Sequence, residues 1–253
     1  MLGVVYDPGM YMEECISRLC CDASWKIKTI QRTGRYFNME EMIHLYKSKV
    51  LGYIEYRTGA IYHAAAGLLA NVDNMQRSFL KSIGMGKETA MFDYNLSPLE
   101  TRRDIALLGV IHRTVLGNGP DQFKAFFKFD SAAVQLRNRH GMQLITHRKG
   151  KFLDVLGVSI LGLVDVYNLL PECAVQAKSV KDFQTLLQQL VKYAATWNIS
   201  EWWNLLSPRH TLHLHPVKRW FKWTPKTVVY ESDDTKWYDE WNDGTLPTRL
   251  FAF

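Results

Sequence analysis

HTLHLHP, residues 210–216, brings His210, His213 and His215 close together. Alternation in a strand would point His213 and His215 the same way, and two imidazoles can chelate zinc or copper. No cysteine lies nearby and no carboxylate follows before Glu231. The set falls short of a complete ligand shell, and no metal site is assigned to this chain. Asp233-Asp234 is an adjacent aspartate pair, and such pairs can hold two magnesium ions for phosphoryl transfer. That use wants a rigid strand turn beside other carboxylates. Here the pair sits in a polar, acidic, Trp-rich tail and reads as a solvated loop. Gly-x-Ser-x-Gly, Gly-x-Gly-x-x-Gly and the phosphate-loop lysine motif are all absent. The stretch Lys81–Lys87 has two glycines near lysines but lacks the Gly-Lys-Ser/Thr ending, and reads as a helix stop. No residue is assigned a catalytic role.

The basic side chains offer more. The chain carries a net +6, unevenly spread: residues 231–253 hold six acids against Lys236 and Arg249, a net −4, which leaves +10 on residues 1–230. A basic body suits an anionic partner, of which nucleic acid is the commonest. Lys26, Lys28, Arg32 and Arg35 end the first helical pattern, and Lys47, Lys49 and Arg57 lie on or beside the second. Arg137, Arg139, Arg148, Lys149 and Lys151 form a second strip, opposed only by Asp130. Phosphate contacts by such residues are independent of sequence and sensitive to salt. Arg102-Arg103 sit in the first turns of a helix, where the macrodipole disfavours cations, which points to an acidic partner inside or outside the protein. HPVKRWFKWTPK, residues 215–226, interleaves cations with Trp220, Phe221 and Trp223; this suits single strands, or packing of the aromatics onto the body.

The elements that position these residues are mainly helical. Hydrophobic residues make up 47% of the 253 and charged residues 22%, a globular and not a disordered composition. Residues 12–31 place Ile16, Leu19, Cys20, Ala23, Ile27 and Ile30 on one helix face. Asn38 with Glu41 caps a second helix, about 39–56, which buries Ile43, Tyr46, Val50 and Tyr53 or Ile54. A third, about 64–83, ends at Gly84. Ser97-Pro98-Leu99-Glu100 opens a fourth with a capping box and runs to about Leu116, and a short helix follows near 120–128. FLDVLGVSILGLVDVYNLL, residues 152–170, reads as one buried helix: Asp154, Asp165 and its short length argue against a membrane span. Ser179 opens another amphipathic helix. Seven of the eight tryptophans fall after residue 196, in a stretch with no sustained period, expected as an extended, partly packed appendage. Leu2–Tyr6 reads as a short strand before an Asp7-Pro8-Gly9 turn. Four cysteines without a Cys-x-x-Cys pair or signal peptide fit reduced thiols in the nucleus or cytoplasm.

Five stretches follow in order: MLGVVYDPGMYMEE at the start, LYKSKVLGYIEY at 45–56, NVDNMQRSFLKSIG with Gln76-Arg77, SPLETRRDIALLGVIHRTVLG, and VYNLLPECAVQAKSVKDFQTLL. Together they resemble the C-terminal part of a non-LTR retrotransposon reverse transcriptase. Order and spacing match over roughly residues 1–195, with Tyr167 where the family often has Trp; the tail from Trp197 matches nothing in it. The resemblance implies a palm-edge strand at 1–10, a thumb-like three-helix bundle at 11–96 and a second helical region at 97–196, and the residue pattern adds an irregular aromatic tail at 197–253. It implies a parent that is an RNA-directed DNA polymerase using two magnesium ions. The family's aromatic-x-Asp-Asp hairpin and upstream aspartate precede the Leu-Gly-Val strand, so this chain starts after them. It would then be a fragment without polymerase chemistry or a cofactor of its own. Its partners would be the missing N-terminal palm and fingers and an RNA/DNA template–primer duplex, and no membrane. The grip would come from Lys26, Lys28, Arg32, Arg35, Lys47 and Lys49, with the 137–151 strip beside them. The other reading is a domesticated or decayed helical scaffold that binds a protein or nothing.

Overall fold

The computed structural model describes residues 4–130, 140–146 and 156–225. They are mainly helical and fall into two compact units, divided between Leu99 and Glu100.

In the first unit, α1 (Glu13–Thr33) buries Cys15, Ile16, Leu19, Ala23, Ile27 and Ile30, the stripe its spacing predicts with Cys15 in place of the half-buried Cys20. The Asp7 carboxylate prepares its start by accepting the N–H groups of Tyr11 (2.8 Å) and Met12 (2.7 Å). The Met12 bond chiefly holds this carboxyl below its ordinary pKa. The Asp7–Met10 turn forms as expected (N···O 2.9 Å). The strand does not: Leu2 lies outside the described residues, and Val4–Tyr6 are irregular. No sheet exists among the described residues to pair with them, and a lone short strand cannot satisfy its backbone.

The second helix is continuous but not uniform. It runs as α2 (Met39–Tyr46), a π-helical stretch (Lys47–Leu51) and α3 (Gly52–Glu55). Asn38 and Glu41 form the full capping box, both bonds at 2.8 Å. The wider π turn turns two consecutive residues, Val50 and Leu51, inward, and Ile54 then takes the core position that Tyr53 shared in the sequence pattern. After the short α4 (Thr58–Ile61), α5 (Ala66–Ser82) packs on α1. The rings of Tyr46 and Phe79 stack at 4.5 Å and 13°, joining the second and third helices of the core. Gly84, at φ +72°, ends α5 in a Schellman motif: its N–H reaches Lys81 O and that of Met85 reaches Leu80 O. The short α6 (Lys87–Asp93) follows.

The Ser97-Pro98 start differs from its expected capping box. The Ser97 hydroxyl is buried without a hydrogen bond, while its carbonyl accepts the Gln76 side-chain amide at 3.0 Å. The serine is fixed through its backbone, and proline with its preset φ opens the helix.

In the second unit, α7 (Leu99–Val115) and the short α8 (Asp121–Lys124) precede a single antiparallel bridge, Phe129 to Leu144. The helix expected over 152–170 is broken. Residues 152–155 lie outside the described residues, 156–157 are helical, 158–162 turn, and α9 covers Leu163–Leu169. The glycines explain the break: a Cβ at Gly162 would lie 2.0 Å from the Gly157 carbonyl oxygen. Gly162→Ala is therefore expected to destabilise this unit by about 1–3 kcal/mol, the usual cost of overpacking. Urea unfolding checks it; an unchanged midpoint would show that the turn opens freely. Then come α10 (Glu172–Val175) and α11 (Val180–Thr196), the latter capped by Ser179 Oγ accepting the Asp182 N–H. Residues 197–225 are not extended: they wind through three 3₁₀ turns and bury Trp202, Leu205, Leu206 and Val217.

Candidate nucleic-acid interface

The grip residues named above divide by location. Lys26, Lys28, Arg32 and Arg35 follow one another along the last half of α1 and the 3₁₀ turn Gly34–Tyr36 behind it. Lys28, Arg32 and Arg35 are exposed and Lys26 is half-buried. Lys47 and Lys49 both fall in the π-helical stretch, Lys47 half-buried and Lys49 exposed. Arg137, Arg139, Arg148, Lys149 and Lys151 lie outside the described residues.

Tyr53 brings Lys26 together with Arg57. The Lys26 ammonium sits 5.1 Å from its ring centroid and the Arg57 guanidinium 4.4 Å from it. Its hydroxyl donates to the Asp22 carboxylate at 2.5 Å. Burial, then the Asp22 bond, pushes the phenol above its ordinary pKa. This cluster joins α1 to the second helix and holds Lys26 by its ring contact, an attraction of about 0.5–1 kcal/mol at such sites. Sequence reading missed it because its members are separated by some thirty positions (|i−j| of 31 for Tyr53 and Asp22).

The charge balance of α1 is one-sided. From Ala23 to Met39 there are four cations and no acid. Of the acids upstream on α1, Glu14 pairs with Arg18 and Asp22 accepts from Tyr53. Three cations therefore face solvent at the C-terminal end of α1 with no carboxylate interleaved among them.

The remaining basic stretches fit phosphate contact less well. Arg102 and Arg103 are buried, which favours the internal of their two expected partners. Within residues 215–226, Trp220 is half-buried and packs edge-on against Tyr193 at 5.2 Å. The Trp223 carbonyl accepts from Cys173 Sγ at 3.1 Å, and Lys218 Nζ donates to the His213 carbonyl. Trp220 and Trp223 are half-buried, and Phe221 is exposed.

Two histidines of HTLHLHP, His210 and His215, serve the backbone. His210 Nε2 lies 2.7 Å from Asn204 O, His215 Nε2 lies 3.0 Å from Ser207 O, and His215 Nδ1 accepts the Val217 N–H. Among the described residues, no group of three or more His, Cys, Asp or Glu side chains is gathered as metal ligands, and no helix is long and apolar enough to cross a membrane.

A different pair of histidines shapes the second unit. His112, on α7, is fully buried and stacks on Phe183 of α11 at 4.1 Å and 11°. Its Nε2 faces the Ala177 carbonyl at 3.0 Å and so carries the proton, leaving Nδ1 to accept from the Tyr167 hydroxyl at 3.0 Å. His140 Nε2 donates to the Tyr167 carbonyl, and its Nδ1 accepts the Met142 N–H. Both rings are satisfied as neutral imidazoles, and burial holds both below the usual histidine pKa. Below pH about 6.5 the unfolded chain therefore binds more protons than the folded one, so stability falls as pH drops through that window, by at most about 1.4 kcal/mol per pH unit for each ring. Urea midpoints at neutral and mildly acidic pH check this. Replacing both histidines with glutamine is expected to flatten the dependence.

Comparison with protein-family models, with curated proteins and with solved structures gives no match.

Proposed function

We propose that this chain is the thumb-like part of a retrotransposon-type reverse transcriptase and that it grips a template–primer duplex by its phosphates. The observation that carries the reading is the acid-free run from Ala23 to Met39, where exposed Lys28 and Arg32 on α1, a helix anchored by a full apolar stripe, are followed by exposed Arg35 in the turn behind it. The ordered series of five sequence stretches gives that surface its context. Lys49 adds an exposed cation on the second helix, and Lys26 is held against Tyr53 of that helix. Such contacts set position on a duplex and read no sequence. In the parent enzyme, the polymerase step and its magnesium ions belong to the palm, and these residues carry none of that chemistry.

Binding of a labelled RNA–DNA hybrid, titrated with salt, tests the reading. The logarithm of the association constant is expected to fall with the logarithm of salt by about 0.9 per phosphate engaged, equally for unrelated sequences. No binding at low salt would instead favour the helical scaffold.

A further inference from the structure

Trp25 is the one tryptophan outside the C-terminal third of the chain, and it lies on the outer face of α1 with 67% of its surface exposed. A core role is excluded, because the buried stripe of α1 runs along Ile16, Leu19, Ala23, Ile27 and Ile30. At 100° per residue, Arg32 lies within about 20° of Trp25 around the helix and Lys28 about 60° away. Along the axis they follow at about 4.5 Å for Lys28 and about 10.5 Å for Arg32. Beyond the helix end, Tyr36 is 69% exposed, and the Arg35 guanidinium already lies 4.7 Å from its ring centroid. In chain order, exposed Trp25 and Tyr36 therefore flank exposed Lys28, Arg32 and Arg35, in a run from Ala23 to Met39 that holds no acid.

A duplex hides its base faces and needs only the cations. Exposed rings beside a series of cations suit unpaired nucleotides, whose bases stack while their phosphates are paired. We propose that Trp25 is a stacking platform for an unpaired nucleotide beside the duplex, with Lys28 and Arg32 holding its neighbouring phosphates and Tyr36 offering a second ring. This rests on the nucleic-acid reading above and adds to it a strand that is not base-paired.

The test uses the full chain and three labelled probes: a blunt RNA–DNA hybrid, the same hybrid with a short single-stranded extension, and a single-stranded oligonucleotide. Wild type is expected to prefer the extended hybrid to the blunt one. Trp25→Ala should weaken binding of the extended hybrid by about tenfold or more with an unchanged salt slope, leave the blunt hybrid unaffected, and be rescued by Trp25→Tyr. An unchanged circular dichroism spectrum shows that the variant is folded. If the blunt hybrid binds and Trp25→Ala changes nothing, the stacking role is overturned while the duplex grip stands. If the single strand binds through Trp25 and the blunt hybrid does not bind at all, the grip falls and the platform stands. A Trp25-dependent dimer in sedimentation, with nucleic-acid binding unaltered in the variant, would assign the ring to a second copy of the chain and overturn the proposal.

Discussion

Replacing Lys28, Arg32 and Arg35 together with glutamate is expected to remove most of the duplex affinity while leaving the fold intact. The three side chains are exposed and belong to no core contact, so removing them opens no cavity. The new carboxylates near the C-terminal end of α1 oppose the helix dipole, at about 0.3–1 kcal/mol each. Binding responds on a larger scale. Three lost phosphate contacts lower the salt slope by roughly 3, and affinity at moderate salt should fall on the order of 100-fold or more. The same change at Arg18, which its ion pair with Glu14 already neutralises, should do little. Fluorescence anisotropy against salt, with circular dichroism as the folding control, measures both. A loss at Arg18 of one third of the triple variant's, in log affinity, would mean that net charge alone drives binding.

Phe79→Ala carries the largest expected cost in stability. The ring is fully buried and stacks on Tyr46. Truncation removes its burial and leaves a cavity between the second and third helices, a loss of about 3–5 kcal/mol. Against the 5–15 kcal/mol typical of a domain, that approaches unfolding of the first unit. Phe79→Leu keeps most of the volume and should cost clearly less. Equilibrium urea unfolding followed by circular dichroism compares them, and a loss below about 1 kcal/mol for alanine would mean the helices close over the gap.

Local signals were legible in the sequence wherever a few adjacent residues settle the matter. Asn38 with Glu41, Ser179 with Asp182, and Gly84 after α5 all terminate helices as their types require. Asn198 was not read as such, although at φ +49° it ends α11 with the same Schellman pair of bonds that Gly84 makes. The π turn at Lys47–Leu51 was hidden, because a run of Val50 and Leu51 fits an ordinary helix until their neighbours are known. The aromatic group of His112, Tyr167 and Phe183 joins positions far apart in the chain, which no local pattern encodes. The break before α9 depends on one close approach between two glycines, where an apolar run suggests a continuous helix. For the candidate interface, the cations were visible as residue types, but the ring that organises Lys26 and Arg57 was not. Trp25 was within reach, since the periodicity that buries Ile27 and Ile30 turns it outward.

Photocrosslinking is the most direct test of the central claim that the outer edge of α1 meets nucleic acid. A hybrid substituted with bromouracil, crosslinked to the full chain and mapped by peptide mass spectrometry, should label residues 23–39, with a second cluster around Lys47 and Lys49. Labelling that spares residues 23–39, or that persists there unchanged in the Lys28, Arg32 and Arg35 triple glutamate variant, would contradict it.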